Sequence, residues 1–112
     1  MNPPGRPLDP LAAIFRLEEF GEPTVRQSRR RIPGFSDTIL NVFVRLNENH
    51  LTSTKTLWSV AVEVPGYRLA RYWFPTSRVE ADHDFEREVD WLTRVGVLLP
   101  SALRDVGFLL YD

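Results

Sequence analysis

The sequence predicts an α+β domain. The expected order is an N-terminal helix, a three- to four-stranded antiparallel sheet with a central aromatic hairpin, and an acidic C-terminal helix packed on one sheet face. Three observations carry this. The stretch 56–75, TLWSVAVEVPGYRLARYWFP, places two β-branched and aromatic runs on either side of a Pro-Gly pair, which is how a hairpin is written. Thr38 to Leu46 alternates, with Leu40, Val42, Val44 and Leu46 on one side and Ile39, Asn41, Phe43 and Arg45 on the other. Phe85, Val89, Leu92 and Val95 recur at helical spacing inside an acidic segment.

In chain order, residues 1–8 carry three prolines and a glycine and read as a flexible arm, with 9–112 forming a single domain. Asp9 as N-cap and Pro10 in the first turn predict a helix to about Phe20, ended by Gly21. Residues 21–38, with two prolines, two glycines and clustered arginines, read as a long connection with a short edge strand at Thr24–Gln27. The polar stretch Asn47–Thr54 is the turn after the alternating strand. In the hairpin, Trp58, Val60, Val62 and Val64 share a face. A two-residue Pro65-Gly66 turn would set Val64 opposite Tyr67 and Val60 opposite Arg71. L-Pro followed by Gly suits tight hairpins poorly, so a longer loop or a bulge is the alternative. A helix from Asp82 or Asp84 to Val95 closes at Gly96, a short turn opens at Pro100, and Phe108–Tyr111 forms a last strand or docked tail.

Composition narrows the function classes. Cysteine is absent, which removes disulfides, thiolate nucleophiles and cysteine metal sites. No apolar run has the length of a membrane span, and MNPPGRPLDP lacks the apolar core of a signal peptide, so the expected location is cytoplasmic, with no membrane partner. The basic side chains are thirteen arginines and one lysine, Lys55. Arginine suits bidentate anion recognition, but a GC-rich codon bias produces the same richness without any partner. Residues 1–79 hold eleven basic against seven acidic side chains (net +4), and residues 80–112 hold three against eight (net −5), so the chain is polarised along its length.

Catalytic and cofactor patterns are sparse. The two histidines are His50, in a polar loop, and His83, between Asp82 and Asp84. No G-x-S-x-G elbow accompanies the serines. The run Glu80–Glu86 has alternating oxygens like the start of a calcium loop, without its turn glycine or its later glutamate. Neither an H-E-x-x-H site nor a glycine-rich phosphate loop occurs. The expectation is no enzyme, no cofactor and no metal; the enzyme alternative would use Asp82, His83 and Asp84.

Binding is the remaining reading. Arginine and aromatic side chains dominate interface hot spots, and an edge strand accepts a partner strand. The expected partner-binding residues are Arg29, Arg30, Arg31, Tyr67, Arg68, Arg71, Tyr72 and Trp73. They describe a small protein-binding module of inhibitor, immunity or adaptor/chaperone type, acting through an arginine and aromatic sheet surface. Another protein is the expected partner, and the N-terminal arm also allows a homodimer. The alternative is a nucleic-acid binder using the loop Arg26–Arg31 against phosphate and the aromatic strand as a stacking platform. The helix–meander–helix order is compatible with secretion-chaperone-like and immunity-protein-like architectures, a likeness of fold that carries no function.

Overall fold

The computed structural model describes residues 24–111. The expected arm 1–8 and the expected helix Asp9–Phe20 lie outside the described residues. The described chain is a four-stranded antiparallel meander, then one main helix, then a short fifth strand that pairs with the fourth. In order these are β1 (Thr24–Pro33), β2 (Ile39–His50), β3 (Thr56–Val64), β4 (Leu69–Trp73), α1 (Arg78–Arg94), a one-turn helix α2 (Pro100–Asp105) and β5 (Leu109–Leu110). The strands lie side by side in the order β1-β2-β3-β4-β5.

This corrects the expected fold class. The sheet has five strands instead of three or four, and among the described residues the main helix follows the sheet and no helix precedes it. The edge strand expected at Thr24–Gln27 is β1, and it runs on to Pro33 through what reads in the sequence as a connection. Its ten residues, TVRQSRRRIP, carry arginines where an apolar alternation would have announced a strand. β5, within the stretch Phe108–Tyr111 expected as a last strand or docked tail, is only two residues long.

One face of the sheet makes the core. Register sets Ile32 opposite Leu40, Val44 opposite Val62, and Val64 opposite Leu69, so Leu40, Val42, Val44, Leu46, Val60, Val62, Val64 and Leu69 share one buried face. α1 covers it with Ala81, Phe85, Glu88 and Leu92, spaced as one helical stripe. Burying each such Val or Leu contributes about 1.5–3 kcal/mol. α1 starts earlier than Asp82 because Ser77 caps it, its Oγ accepting from the Glu80 amide at 3.2 Å.

The hairpin takes the longer loop. Val64 pairs with Leu69, Val62 with Arg71 and Val60 with Trp73, while Pro65–Tyr67 form a 3₁₀ turn and Arg68 adopts a left-handed conformation (φ 54°). Leu69, Arg71 and Trp73 therefore face α1, and Tyr72 and Phe74 face the other side. Gly34 gives the two turns room to meet. A Cβ there would lie 2.5 Å from Leu40 Cδ1 and 2.6 Å from the Tyr67 hydroxyl. Among the described residues no helix is long and apolar enough to cross a membrane.

Candidate functional site: the open edge of the sheet

β1 is the outer strand, and its backbone phase can be read from its end. The Pro33 carbonyl accepts from the Leu98 amide at 3.0 Å, outside the sheet, while the Gly34 amide donates to Thr38 at 2.7 Å. Antiparallel pairs alternate between bonded and non-bonded, so every second residue back from Pro33 aims its N–H and C=O away from β2. Those residues are Arg31, Arg29 and Gln27. All three are exposed, and no backbone group among the described residues pairs with them.

The same period of two divides the arginines. Arg26 and Arg30 lie on the α1 side. Arg26 donates to Asp82 at 3.1 Å and to Glu86, and its guanidinium sits 4.3 Å from the Phe85 ring centroid. The hydrogen bonds to Glu86 and Asp82 raise its pKa further above its ordinary value. Arg30 donates from Nη1 to the carbonyls of Leu92 (2.5 Å) and Val95 (2.9 Å), supplying a cation to the carbonyl end of α1. β1 and α1 thus run in the same direction, clamped at both ends. Arg29 and Arg31 project to the opposite side, with no ion pair, side-chain hydrogen bond or ring contact among the described residues.

Beside the start of β1, on the α1 side, Arg26, Arg78, Val79, Asp82, His83 and Glu86 line an open cleft of about 550 Å³. Burial raises the Asp82 pKa, but the hydrogen bonds and charges of Arg26 and Arg78 outweigh it, and the carboxyl ends below its ordinary value. The cleft wall is already neutralised by its own ion pairs.

The other candidate residues are engaged elsewhere or stand apart. Arg71 forks onto the buried carboxylate of Glu88 with Nε at 2.7 Å and Nη2 at 2.8 Å, and donates from Nη1 to the Val106 carbonyl at 2.9 Å. Its guanidinium lies 5.0 Å from the Trp91 ring and 4.8 Å from the Phe108 ring. Trp73 donates its indole N–H to the same carboxylate at 3.2 Å and carries Arg87 on its ring, although it stays 41% exposed. The Tyr67 hydroxyl donates to the Leu98 carbonyl and accepts from the Phe35 amide, each at 2.8 Å. Tyr72 stacks on Phe74 at 6.3 Å, on the side away from α1. Arg68 is exposed in the β3–β4 turn, and its carbonyl accepts from the Tyr111 amide. Arg29, Arg31 and Arg68 are therefore the exposed arginines of the set, while Arg30 and Arg71 work inside the fold.

The middle of the face away from α1 is closed. Asn47, Asn49, Ser59, Ala61 and Ala70 are all buried there. Exposure on that side is concentrated at the β1–β2 end, at Gln27, Arg29, Arg31, Ile39 and Asn41. Sequence reasoning places Gln27 at the end of a short edge strand but not among the binding residues, and it misses the continuation of that strand to Pro33. Its signal was the β-branched pair Thr24-Val25 and Ile32 bracketing the arginines, with Pro33-Gly34 as the turn.

Among the described residues no three of His, Cys, Asp and Glu group so as to hold a metal ion. His83 is exposed on the cleft rim, and His50 contacts Thr56 and Glu48 at the far end of β2. What the edge can do chemically is donate and accept strand hydrogen bonds beside two exposed positive charges. Compared with known proteins, the chain matches no family model, no curated protein and no solved structure.

Proposed function

We propose that this chain is a small, non-catalytic protein-binding module, of inhibitor, immunity or adaptor type, that takes an extended segment of its partner at the open edge of β1. One observation carries the reading: among the described residues, Gln27, Arg29 and Arg31 present outward backbone groups with no partner, on a regular stretch of strand where the two arginine side chains make no ion pair, hydrogen bond or ring contact. Sheets commonly blunt their edges with short strands, bulges or prolines. Here the register irregularity sits at Thr24/Arg26 and the proline at Pro33, which leaves the stretch between them regular. Main-chain hydrogen bonds supply affinity in strand addition, and the flanking side chains supply selectivity.

The test is Gln27→Pro. It deletes one outward N–H without costing a β1–β2 bond, because proline is tolerated on the free side of an edge strand. The wild-type chain and the variant, both shown to be folded by circular dichroism, are used to capture partners from the source lysate. A partner retained by the wild type and lost by Gln27→Pro supports edge binding. Equal retention by both removes the edge from the interface. Salt-sensitive capture of nucleic acid by both forms, with no protein partner, replaces the reading with the nucleic-acid one.

A further inference from the structure

We infer that the occupant of the β1 edge is an extended acidic peptide whose carboxylates fall at alternate positions, opposite Arg29 and Arg31. This inference rests on the edge-binding reading above and adds the chemical class of the segment bound.

The geometry is that of a sixth strand. A residue paired with Arg29 and the residue two along, paired with Arg31, have side chains on the side of the sheet away from α1, where both guanidinium groups are exposed. Directly opposed side chains on neighbouring strands have Cβ atoms about 4.5–5.5 Å apart, within reach of an Arg–carboxylate pair. Two such carboxylates would meet two cations that make no pair among the described residues, so no existing ion pair has to break.

The intervening residues of the added strand point the other way, towards α1 and the cleft. That side carries Asp82 and Glu86 already paired with Arg26 and Arg78, together with Val79 and His83. A carboxylate there finds both cations already paired, so neutral side chains are favoured on that side. The edge thus selects a pattern, acidic on one side only, and not merely negative charge. The same two arginines disfavour a second copy of this chain as occupant, since pairing β1 with β1 brings like charges together across the new ladder.

The probes are three capped peptides long enough to span β1. In the first, Glu alternates with Thr. The second has the same composition with its Glu residues bunched together, and the third has Gln in place of Glu. Binding is measured by calorimetry at low salt, and hydrogen exchange reads the amides of Gln27, Arg29 and Arg31. The alternating Glu peptide is expected to protect these amides and to bind roughly tenfold more tightly than the Gln peptide, the scale of two cross-strand ion pairs. The double variant R29E/R31E, built at two exposed side chains without partners among the described residues, should reverse that order and prefer the Gln peptide. If the Glu and Gln peptides bind equally with the edge amides protected, the edge reading stands and the acidic class is overturned. If the bunched peptide matches the alternating one, the register is overturned. If no peptide protects the edge amides, the edge reading itself falls. Protection of those amides in the free chain, with dimer formation in sedimentation, would make a second copy the occupant and overturn the proposal.

Discussion

Arg71 and Glu88 face each other through two hydrogen bonds of 2.7 and 2.8 Å, with 13% and 3% of their side chains exposed. The pair joins the middle of β4 to the middle of α1, and the Trp73 indole and the Val106 carbonyl complete its bonding. A buried ion pair adds little over a well-packed apolar pair, but removing one partner leaves an uncompensated charge. We expect Arg71→Met or Glu88→Ala alone to cost about 3–5 kcal/mol in urea unfolding. The double variant Arg71→Met with Glu88→Leu should recover most of that loss. Independent, additive losses would contradict the pairing.

The three adjacent arginines should separate in an alanine series. Arg30 bonds two carbonyls at the end of α1, so Arg30→Ala should destabilise by about 1–2 kcal/mol. Arg29→Ala and Arg31→Ala, at exposed sites, should stay within about 0.5 kcal/mol of the wild type. A cost at Arg29 as large as that at Arg30 would show that the strand phase is inverted.

Tyr67 ties the β1–β2 turn to the segment after α1 through one hydroxyl. Tyr67→Phe leaves the Phe35 amide and the Leu98 carbonyl without that partner, at an expected cost of about 1–3 kcal/mol. Faster amide exchange at Phe35 would distinguish loss of the bond from a general loosening, which would speed exchange throughout the sheet.

Two backbone positions give opposite expectations. Arg68 sits at φ 54° with its side chain exposed, so Arg68→Gly relieves the left-handed conformation and should gain about 1 kcal/mol. Gly34 is extended but crowded, and Gly34→Ala drives a Cβ into Leu40 and Tyr67, costing about 1–3 kcal/mol. Thermal unfolding of both variants reads the two signs.

Acid should weaken the start of α1. The side-chain and backbone hydrogen bonds of Thr76 hold the Glu80 carboxyl below its ordinary value of 4.5, and Asp82 is held low by Arg26 and Arg78 against the opposing effect of burial. Groups with depressed folded-state pKa bind more protons when unfolded, so their contribution is present above the ordinary carboxyl value and is lost as pH falls through the folded one. Urea midpoints should therefore fall more steeply below pH 4.5 in the wild type than in the Glu80→Gln, Asp82→Asn double variant. Identical acid limbs would refute the assignment.

The legible parts of this chain were those with local signals. The alternation from Leu40 to Leu46 and from Trp58 to Val64 by itself places the core face of β2 and β3, and Pro100, Gly107 and Gly96 mark the turns around α2. The full length of β1, expected only over Thr24–Gln27, was hidden because its inward positions include Arg26, Ser28 and Arg30. An arginine counts as polar in any pattern, yet here two of them lie against a helix that supplies carboxylates at one end and carbonyls at the other.

The sequence by itself determined an α+β chain with an antiparallel meander, an acidic helix and a surplus of arginine, because propensity, alternation and capping act over a few residues. Tertiary structure decided which arginines are spent and which are left exposed. Arg29, Arg30 and Arg31 are chemically identical neighbours. Only the pairing of Ile32 with Leu40, and the docking of a helix some sixty residues further on, turns Arg30 inward and leaves Arg29 and Arg31 at the open edge. A strand's period of two supplies two faces, and long-range packing chooses between them.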